Sequence, residues 1–443
     1  MCGAEWARAR WRGDLLVHDE TIAIHGGYEA DSTRAVAVPI YQTIAHDFID
    51  HEHAGAVFDL ETPGFHYNRI NNPTNQVLEQ RLAALEGGTA ALTVSSGMAA
   101  ISYAVLNLAT AGTNIVTTPQ LYGSTYTYFA HLLPPIGIEV RFAADDRAES
   151  LAALIDDQTR AVFCETVGNP AGNVIDLEEV AAVAHACGVP LIADNTVATP
   201  LMLKPIEYGA DVVIESLTKF IGGHGTTLGG AIIDAGRFPW TEHSDRFPMF
   251  NTPEPAFHGV VFGTEFPDTA FVVRARSVPL RNTGSTLAPF NAFLILQGLE
   301  TLPLRLDRHE TNARMIATAL REDPRVDWVG YAGFPDHPCY ELAQRYLKGR
   351  VPSILTFGPK GGYDAAIRFF NSVKLFKRLV NLGDAKSLVS HSASTTHRQL
   401  KPAELRAAGI EPETIRLSVG LEHIDDLLED IDQALAIATR SSP

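Results

Sequence analysis

In DVVIESLTKFIGGHG, residues 211–225, a lysine stands at the mouth of an apolar run with glycines directly behind it. Lysine is strongly hydrated and is rarely desolvated unless it is paired or put to chemical use. Taken alone, Lys219 reads as a surface lysine in a strand-to-helix loop. Two other polar features occupy equivalent places. VPLIADNT, 189–196, delivers Asp194 at the exit of an almost wholly apolar run. A carboxylate there needs a cation or several donors, because unpaired burial is costly, although by itself it is also a plausible cap for the following turn. TVSSGMAAISYAV, 93–105, passes through Ser95, Ser96 and Gly97 into a helix starting near Met98. Such a turn offers free backbone N–H groups and a positive dipole end, which suits a phosphate. Ordinary N-capping by serine is the commoner reading of that tripeptide alone.

Ser216 and Thr218 precede the lysine at alternate positions, so both hydroxyls face a phosphate if the segment is extended. The turn carries no GxGxxG, the chain has no GxxxxGK[ST], and the glycines of GGHGTTLGG follow the lysine, the wrong order for a nucleotide P-loop. A phosphate cradle, a buried acid and a lysine at neighbouring strand ends form one set, and it is the set that pyridoxal phosphate requires. Its aldehyde takes a lysine as a Schiff base, and its ring nitrogen takes an acid that keeps it protonated and electron-withdrawing. Desolvation and nearby positive charge lower the lysine pKa and make it a usable nucleophile and proton carrier.

The elements that must position these groups are visible as an alternation. AALTV, NIVTT, IEVRFA, RAVFCE, VPLIADN, DVVIES and GGAIID read as strands, separated by amphipathic segments such as MAAISYAVLNLA, TYTYFAHLL, AESLAALIDD and LEEVAAVAHAC. This predicts an α/β fold whose mostly parallel central sheet is covered by helices, with strands apolar on both faces. Ligands of such sheets bind beyond the carboxyl ends of the strands. From 236 the segment GRFPWTEHSDRFPMFNTPEPAFHGVVFGTEF is rich in Pro and aromatics and reads as a surface excursion, covering a site or contacting another subunit. A long helical stretch, 285–322, leads into a smaller α+β region. The expected division is an N-terminal arm over 1–65 contributing to dimer contacts, a large domain over 66–285 and a small C-terminal domain over 286–443, as a chain of 443 residues suggests more than one core.

Composition narrows the partners. With 35 basic against 52 acidic residues the formal charge is −17, which disfavours nucleic acid and anionic membranes. Cys2, Cys164, Cys187 and Cys339 show no metal-ligand or disulfide spacing and fit a cytoplasmic protein with reduced thiols. His224, His391 and His397 have no ligand spacing, and His224 reads as a packing or hydrogen-bonding residue beside the lysine loop; no metal is expected. No apolar h-region follows the basic start, and no run approaches a membrane span.

The segment DNTVATPLMLKPIEYGADVVIESLTKFIGGH closely resembles the region around the cofactor lysine in the Cys/Met-metabolism family of pyridoxal-phosphate enzymes, and the likeness runs from VPIYQT at 38–43 to RLSVGLE at 416–422. TKFIGGHG, the insertion at 236–266 with FHGVVF, and NLGDAKSLVSHSASTTHRQL are most similar to the sulfhydrylase branch, which joins O-acetyl-L-homoserine to sulfide. The resemblance implies a PLP-dependent transferase-like fold, pyridoxal 5'-phosphate on Lys219, and Asp194 against its ring nitrogen. It further implies Gly97 and Met98 N–H groups with Ser216 and Thr218 on the phosphate, and Asn169 near the 3-oxygen. Tyr122 would stack on the ring and act in proton transfer. Tyr67 and Arg69, the YxR pair of PGFHYNRINNPT, would reach the neighbouring subunit's phosphate, so that sites are shared across a dimer within a tetramer. Arg416 would clamp the substrate carboxylate, its fork of donors matching a planar anion. Asn381 stands where related lyases and cystathionine-forming enzymes carry serine, and Ser392 where proline is usual. The implied reaction is homocysteine and acetate formation for methionine biosynthesis, with cystathionine synthesis or γ-elimination as the alternatives on this scaffold.

Overall fold

The computed structural model describes residues 17–395, 398 and 410–440; residues 1–16 of the expected arm, and His397, lie outside them. Seven short strands build the larger sheet: β1 (Ala90–Val94), β2 (Asn114–Thr117), β3 (Glu139–Phe142), β4 (Thr159–Glu165), β5 (Leu191–Asp194), β6 (Val212–Glu215) and β7 (Gly230–Asp234), in the order β1-β7-β6-β5-β4-β2-β3. The pairs β3–β2, β2–β4, β4–β5 and β5–β6 are parallel, whereas β7 runs antiparallel to both β6 and β1.

Apolar side chains alternate between two cores across this sheet, as a period of two demands. Leu191, Ala193, Val213, Ala231 and Ile233 join one core with Leu78, Leu82, Val180 and Ile295; Ile192, Val212, Ile214 and Ile232 join the other with Ile101, Trp240 and Phe247. The outermost strand β3 departs from the expected two-faced burial. Glu139 is exposed, and Arg141 donates to Glu139 and Asp156 at 2.9 and 2.7 Å, the charged edge that a strand with one neighbour can carry.

Local chemistry sets the helix ends. Asn72 Oδ1 accepts the Thr74 N–H at 2.9 Å and Pro73 opens the helix Pro73–Glu86, which Gly87 ends at φ 76°. The long helical stretch divides into Pro289–Glu300 and Leu302–Glu322 at Thr301; Pro303 falls in the first turn of the second helix, where its missing N–H has no intrahelical partner to lose.

The segment from 236 qualifies the sequence reading. It is more than a surface excursion: Pro239, Thr241, Glu242 and Pro255 are exposed, but Phe238, Trp240, Phe247, Phe250, Phe257, Phe262 and Phe266 are buried against the sheet. Each buried ring contributes roughly 2 kcal/mol, enough to hold a turn-rich segment whose proline content masks its periodicity.

The second sheet comprises β8 (Val326–Gly330), β9 (Ile354–Pro359), β10 (Lys377–Arg378), β11 (Leu388–His391) and β12 (Ile415–Ser418), ordered β10-β11-β12-β9-β8. It is antiparallel apart from β10–β11. Leu355, Phe357, Leu417 and Val419 extend the first core into this layer.

Candidate active site

The carboxyl ends of β4, β5 and β6 lie side by side, with Glu165 in register with Asp194, and Asp194 with Ile214. One pocket of about 180 Å³ opens at this edge, and its wall includes Gly97, Met98, Tyr122, Asn169, Asp194, Ser216, Thr218, Lys219, Asn381 and Arg416. Ten sequence-predicted residues thus meet around one cavity.

The cradle is built first. Ser96 Oγ accepts the Ala99 N–H at 3.1 Å and caps the helix Gly97–Leu106, which begins one residue before the expected start. The Gly97 and Met98 N–H groups keep no protein acceptor among the described residues. A Cβ on Gly97 would meet Ser216 Cβ at 2.7 Å, so only glycine admits this approach of helix and strand end. Ser216 and Thr218 do not sit on an extended run: residues 217–220 form a turn. Thr218 Oγ1 donates to the Gly229 carbonyl and accepts its N–H, both at 3.2 Å.

Lys219 Nζ donates to Asn381 Oδ1 at 2.7 Å. Burial, and secondarily the charge of Arg416, bring its pKa down to about 8. Asp194 accepts the Thr196 N–H at 3.0 Å, and burial raises its pKa against the opposing effects of Thr196 and Lys219. Arg416, which pattern alone places at a strand edge, lies on the central strand β12 and is 5% exposed. Its Nη1 donates to Asn169 Oδ1 at 2.9 Å and its Nη2 to the Asn381 main-chain carbonyl at 2.7 Å. Arg416 Nε is buried without a hydrogen-bond partner, and among the described residues no carboxylate forms an ion pair with it.

Two residues that sequence reasoning missed support this arrangement. Glu165 closes β4, lines the pocket and accepts the Tyr122 N–H at 2.5 Å and the Asn169 N–H at 3.4 Å. Burial, then the charge of Asp194, raise its pKa well above the carboxylate range. The signal was present, an acid ending an apolar strand as Asp194 does. Arg305, buried on the helix Leu302–Glu322, donates to the carbonyls of Phe220, Ile221 and Gly298 at 2.6, 3.0 and 2.7 Å. It thereby fixes the residues that follow Lys219. Gly223, at φ 69°, leaves room for it, since a Cβ there would lie 2.1 Å from Arg305 Nη1. His224 Nδ1 donates to the Gly222 carbonyl at 2.6 Å, the hydrogen-bonding part expected of it.

Tyr67 and Arg69 are not brought into the pocket of their own chain. Both are exposed, with the Arg69 guanidinium 5.1 Å from the Tyr67 ring centre and donating to the Arg281 carbonyl. Among the described residues no helix is long and apolar enough to cross a membrane, and no His, Cys, Asp or Glu cluster could hold a metal ion.

The pocket fits pyridoxal phosphate on its own terms. Free N–H groups at a helix start beside two hydroxyls suit the phosphate. A buried carboxylate with a raised pKa lacks the cation that a protonated ring nitrogen supplies. A desolvated lysine with a lowered pKa suits the aldehyde, and the unsatisfied Arg416 Nε suits a carboxylate.

The chain is similar to known proteins over nearly its whole length. The chain is 49% identical over 420 residues to O-acetyl-L-homoserine sulfhydrylase 1 of Thermus thermophilus, covering 94% of this chain and 99% of that protein. It is 48% identical over 423 residues to homocysteine synthase of Schizosaccharomyces pombe, covering 95% and 99%. The crystal structure of a putative O-acetylhomoserine (thiol)-lyase from Campylobacter jejuni, which carries N'-pyridoxyl-lysine-5'-monophosphate, superposes with a TM-score of 0.92 at 42% identity, covering 95% of this chain and all of that one. Residues 20–436 match the model of the Cys/Met metabolism PLP-dependent enzymes, and the chain belongs to that family.

Proposed function

We propose that this chain is a PLP-dependent transferase that carries out γ-replacement, converting O-acetyl-L-homoserine and sulfide into L-homocysteine and acetate in methionine biosynthesis. The observation that carries the reading is the single pocket joining Lys219, Asp194 and Arg416, in a chain whose relatives named for this chemistry match it over nearly its whole length. Ile101, Val167, Val197, Leu228, Val380 and Leu382 give the cavity an apolar part that suits a short acetyl ester.

Gly97 and Met98 N–H groups, Ser216 and Thr218 would hold the cofactor phosphate, Asp194 the ring nitrogen, Asn169 the 3-oxygen side and Lys219 the aldehyde carbon. When bound, pyridoxal phosphate supplies the electron sink that makes the protons at Cα and Cβ removable and lets acetate leave from Cγ. Arg416 binds the α-carboxylate and fixes the amino acid's orientation. Lys219 Nζ, with its pKa brought to about 8, removes the Cα proton and returns one at the end of the cycle. Tyr122, which lines the same pocket, would pack over the ring and share proton transfer beside the leaving group.

The site is read as shared across a dimer, with Tyr67 and Arg69 serving the neighbouring subunit and two dimers forming a tetramer. In support, both residues face outward, and the arm exposes Val36, Ile44 and Ile49 at 95%, 69% and 82%. The arm spans 1–65, the large domain 66–285 and the small domain 286–443 in this reading. The free thiols of Cys164, Cys187 and Cys339 suit the cytoplasm.

Product analysis tests the proposal. O-acetyl-L-homoserine is incubated with sulfide, with cysteine, and with neither. Homocysteine and acetate formed only with sulfide are expected. A 2-oxo acid and ammonia without added nucleophile, or cystathionine as the main product, would replace γ-replacement by sulfide with one of the other reactions of the scaffold.

A further inference from the structure

Glu165 ends β4 and is hydrogen-bonded to both loops that frame the pocket. One carboxyl group spans both. Its Oε1 accepts the backbone N–H of Tyr122, 43 residues earlier, at 2.5 Å. Its Oε2 accepts the backbone N–H of Asn169 at 3.4 Å. Asn169 in turn accepts from Arg416 Nη1 at 2.9 Å, and Arg416 also holds the main chain of Asn381, whose side chain holds Lys219. The carboxyl is buried next to a second acid, Asp194, on the neighbouring strand. Burying an acid there is unfavourable, and no cation among the described residues forms an ion pair with Glu165. Neither bond is one that an apolar residue at this strand end could replace.

We propose that Glu165 is a positioning residue that ties the Tyr122 loop to the Asn169 loop and, through Asn169, sets the Arg416 guanidinium for an amino-acid carboxylate. The proposal rests on the reading of the pocket given above. Glu165→Gln keeps the size of the side chain but replaces one oxygen, which has a lone pair for an N–H whether the carboxyl is ionised or protonated, with an NH2 group that has none to offer, so one of the two ties is lost.

The test uses the cofactor-loaded protein and L-norvaline, an amino acid without a γ-leaving group, titrated by the change it causes in visible absorption. The Gln variant is expected to bind norvaline about tenfold more weakly than wild type, with a melting temperature within a few degrees of it. In an Asn169→Ala background the same substitution is expected to cost less than about twofold, because the path to Arg416 is already cut. A Gln variant that binds norvaline as wild type does, or whose loss is equally large with Asn169→Ala present, overturns the proposal. If Glu165→Gln does not fold, Glu165→Asp carries the same expectations; failure of both to fold makes Glu165 a folding requirement and also overturns it. Normal norvaline binding without homocysteine formation in wild type would count against the proposed reaction and leave the role of Glu165 standing. Wild type with no spectral response to norvaline would remove both.

Discussion

Lys219 Nζ and Asn381 Oδ1 are 2.7 Å apart, although the lysine follows β6 of the seven-stranded sheet and the asparagine lies between β10 and β11 of the five-stranded one. The amine that would do the chemistry is therefore held from across the junction of the two layers. Asn381→Ala removes that acceptor and leaves Lys219 free to explore other rotamers. A hydrogen bond to a charged group contributes about 1.5–3 kcal/mol, so kcat should fall at least about tenfold while borohydride still fixes the cofactor to Lys219. Steady-state rates with both substrates saturating read the effect, and an unchanged kcat would count against a positioning role for Asn381.

The outward-facing Tyr67 and Arg69 lead to a complementation experiment. Lys219→Ala and Arg69→Ala chains should each be inactive, or nearly so, as homo-oligomers. Co-expressed, they form mixed dimers in which one site combines an intact Lys219 with an intact Arg69 from the other chain. Activity well above either parent is expected. If the mixture is as inactive as its parents, Arg69 does not serve the neighbouring subunit's site.

His309 gives the fold a specific acid sensitivity. It is fully buried, its Nδ1 donates to the Val419 carbonyl at 2.6 Å, and its ring meets Phe220 edge-on at 5.4 Å. Burial and, to a lesser degree, Arg305 push its pKa down from 6.5 to about 4, against the Val419 carbonyl and Asp384. The unfolded chain then binds the extra proton between those two values. The contribution is complete above the unfolded pKa and is lost as pH falls towards the folded one. Asp234 works in the opposite sense, since burial raises its pKa to about 7 and it favours the fold more strongly as pH falls. A comparison with His309→Gln isolates the histidine. Between pH 7 and pH 5 the stability advantage of wild type over that variant should shrink by about 2 kcal/mol. Thermal unfolding of both proteins at the two pH values measures it.

The parts of this site legible in the sequence were those with short-range signals. Lys219, Asp194 and the Ser96-Gly97 turn each interrupt an apolar run at a predicted strand end, and the parallel sheet brings such ends together. Arg416, Asn381, Tyr122 and Asn169 came from resemblance, because their significance depends on partners far away in the chain. Arg416 contacts Asn169 at a separation of 247 residues, and an antiparallel sheet with non-local pairing gives no local hint that its central strand carries a buried guanidinium. The Pro-rich segment after 236 was half legible for a related reason, since its exposed residues fit a surface run while its rings are buried by tertiary packing that leaves no period in the sequence. The alternation of Ser216 and Thr218 puts both hydroxyls on one side only if the segment is extended, and the chain does not meet that condition because it turns just after β6.

Arg305 grips the carbonyls behind Lys219 from a helix that starts at Leu302, beyond the last strand of the large sheet. The lysine turn is thus fastened to the part of the chain synthesised after it, and Asn381 and Arg416 lie later still. A fragment ending near residue 300 would contain the lysine, the acid and the phosphate cradle, yet Lys219 would lack its clamp. For anyone dividing, permuting or grafting this scaffold, the smallest transferable unit is therefore not the large sheet with its cofactor residues. It is both layers together, joined at the point where the amine is held.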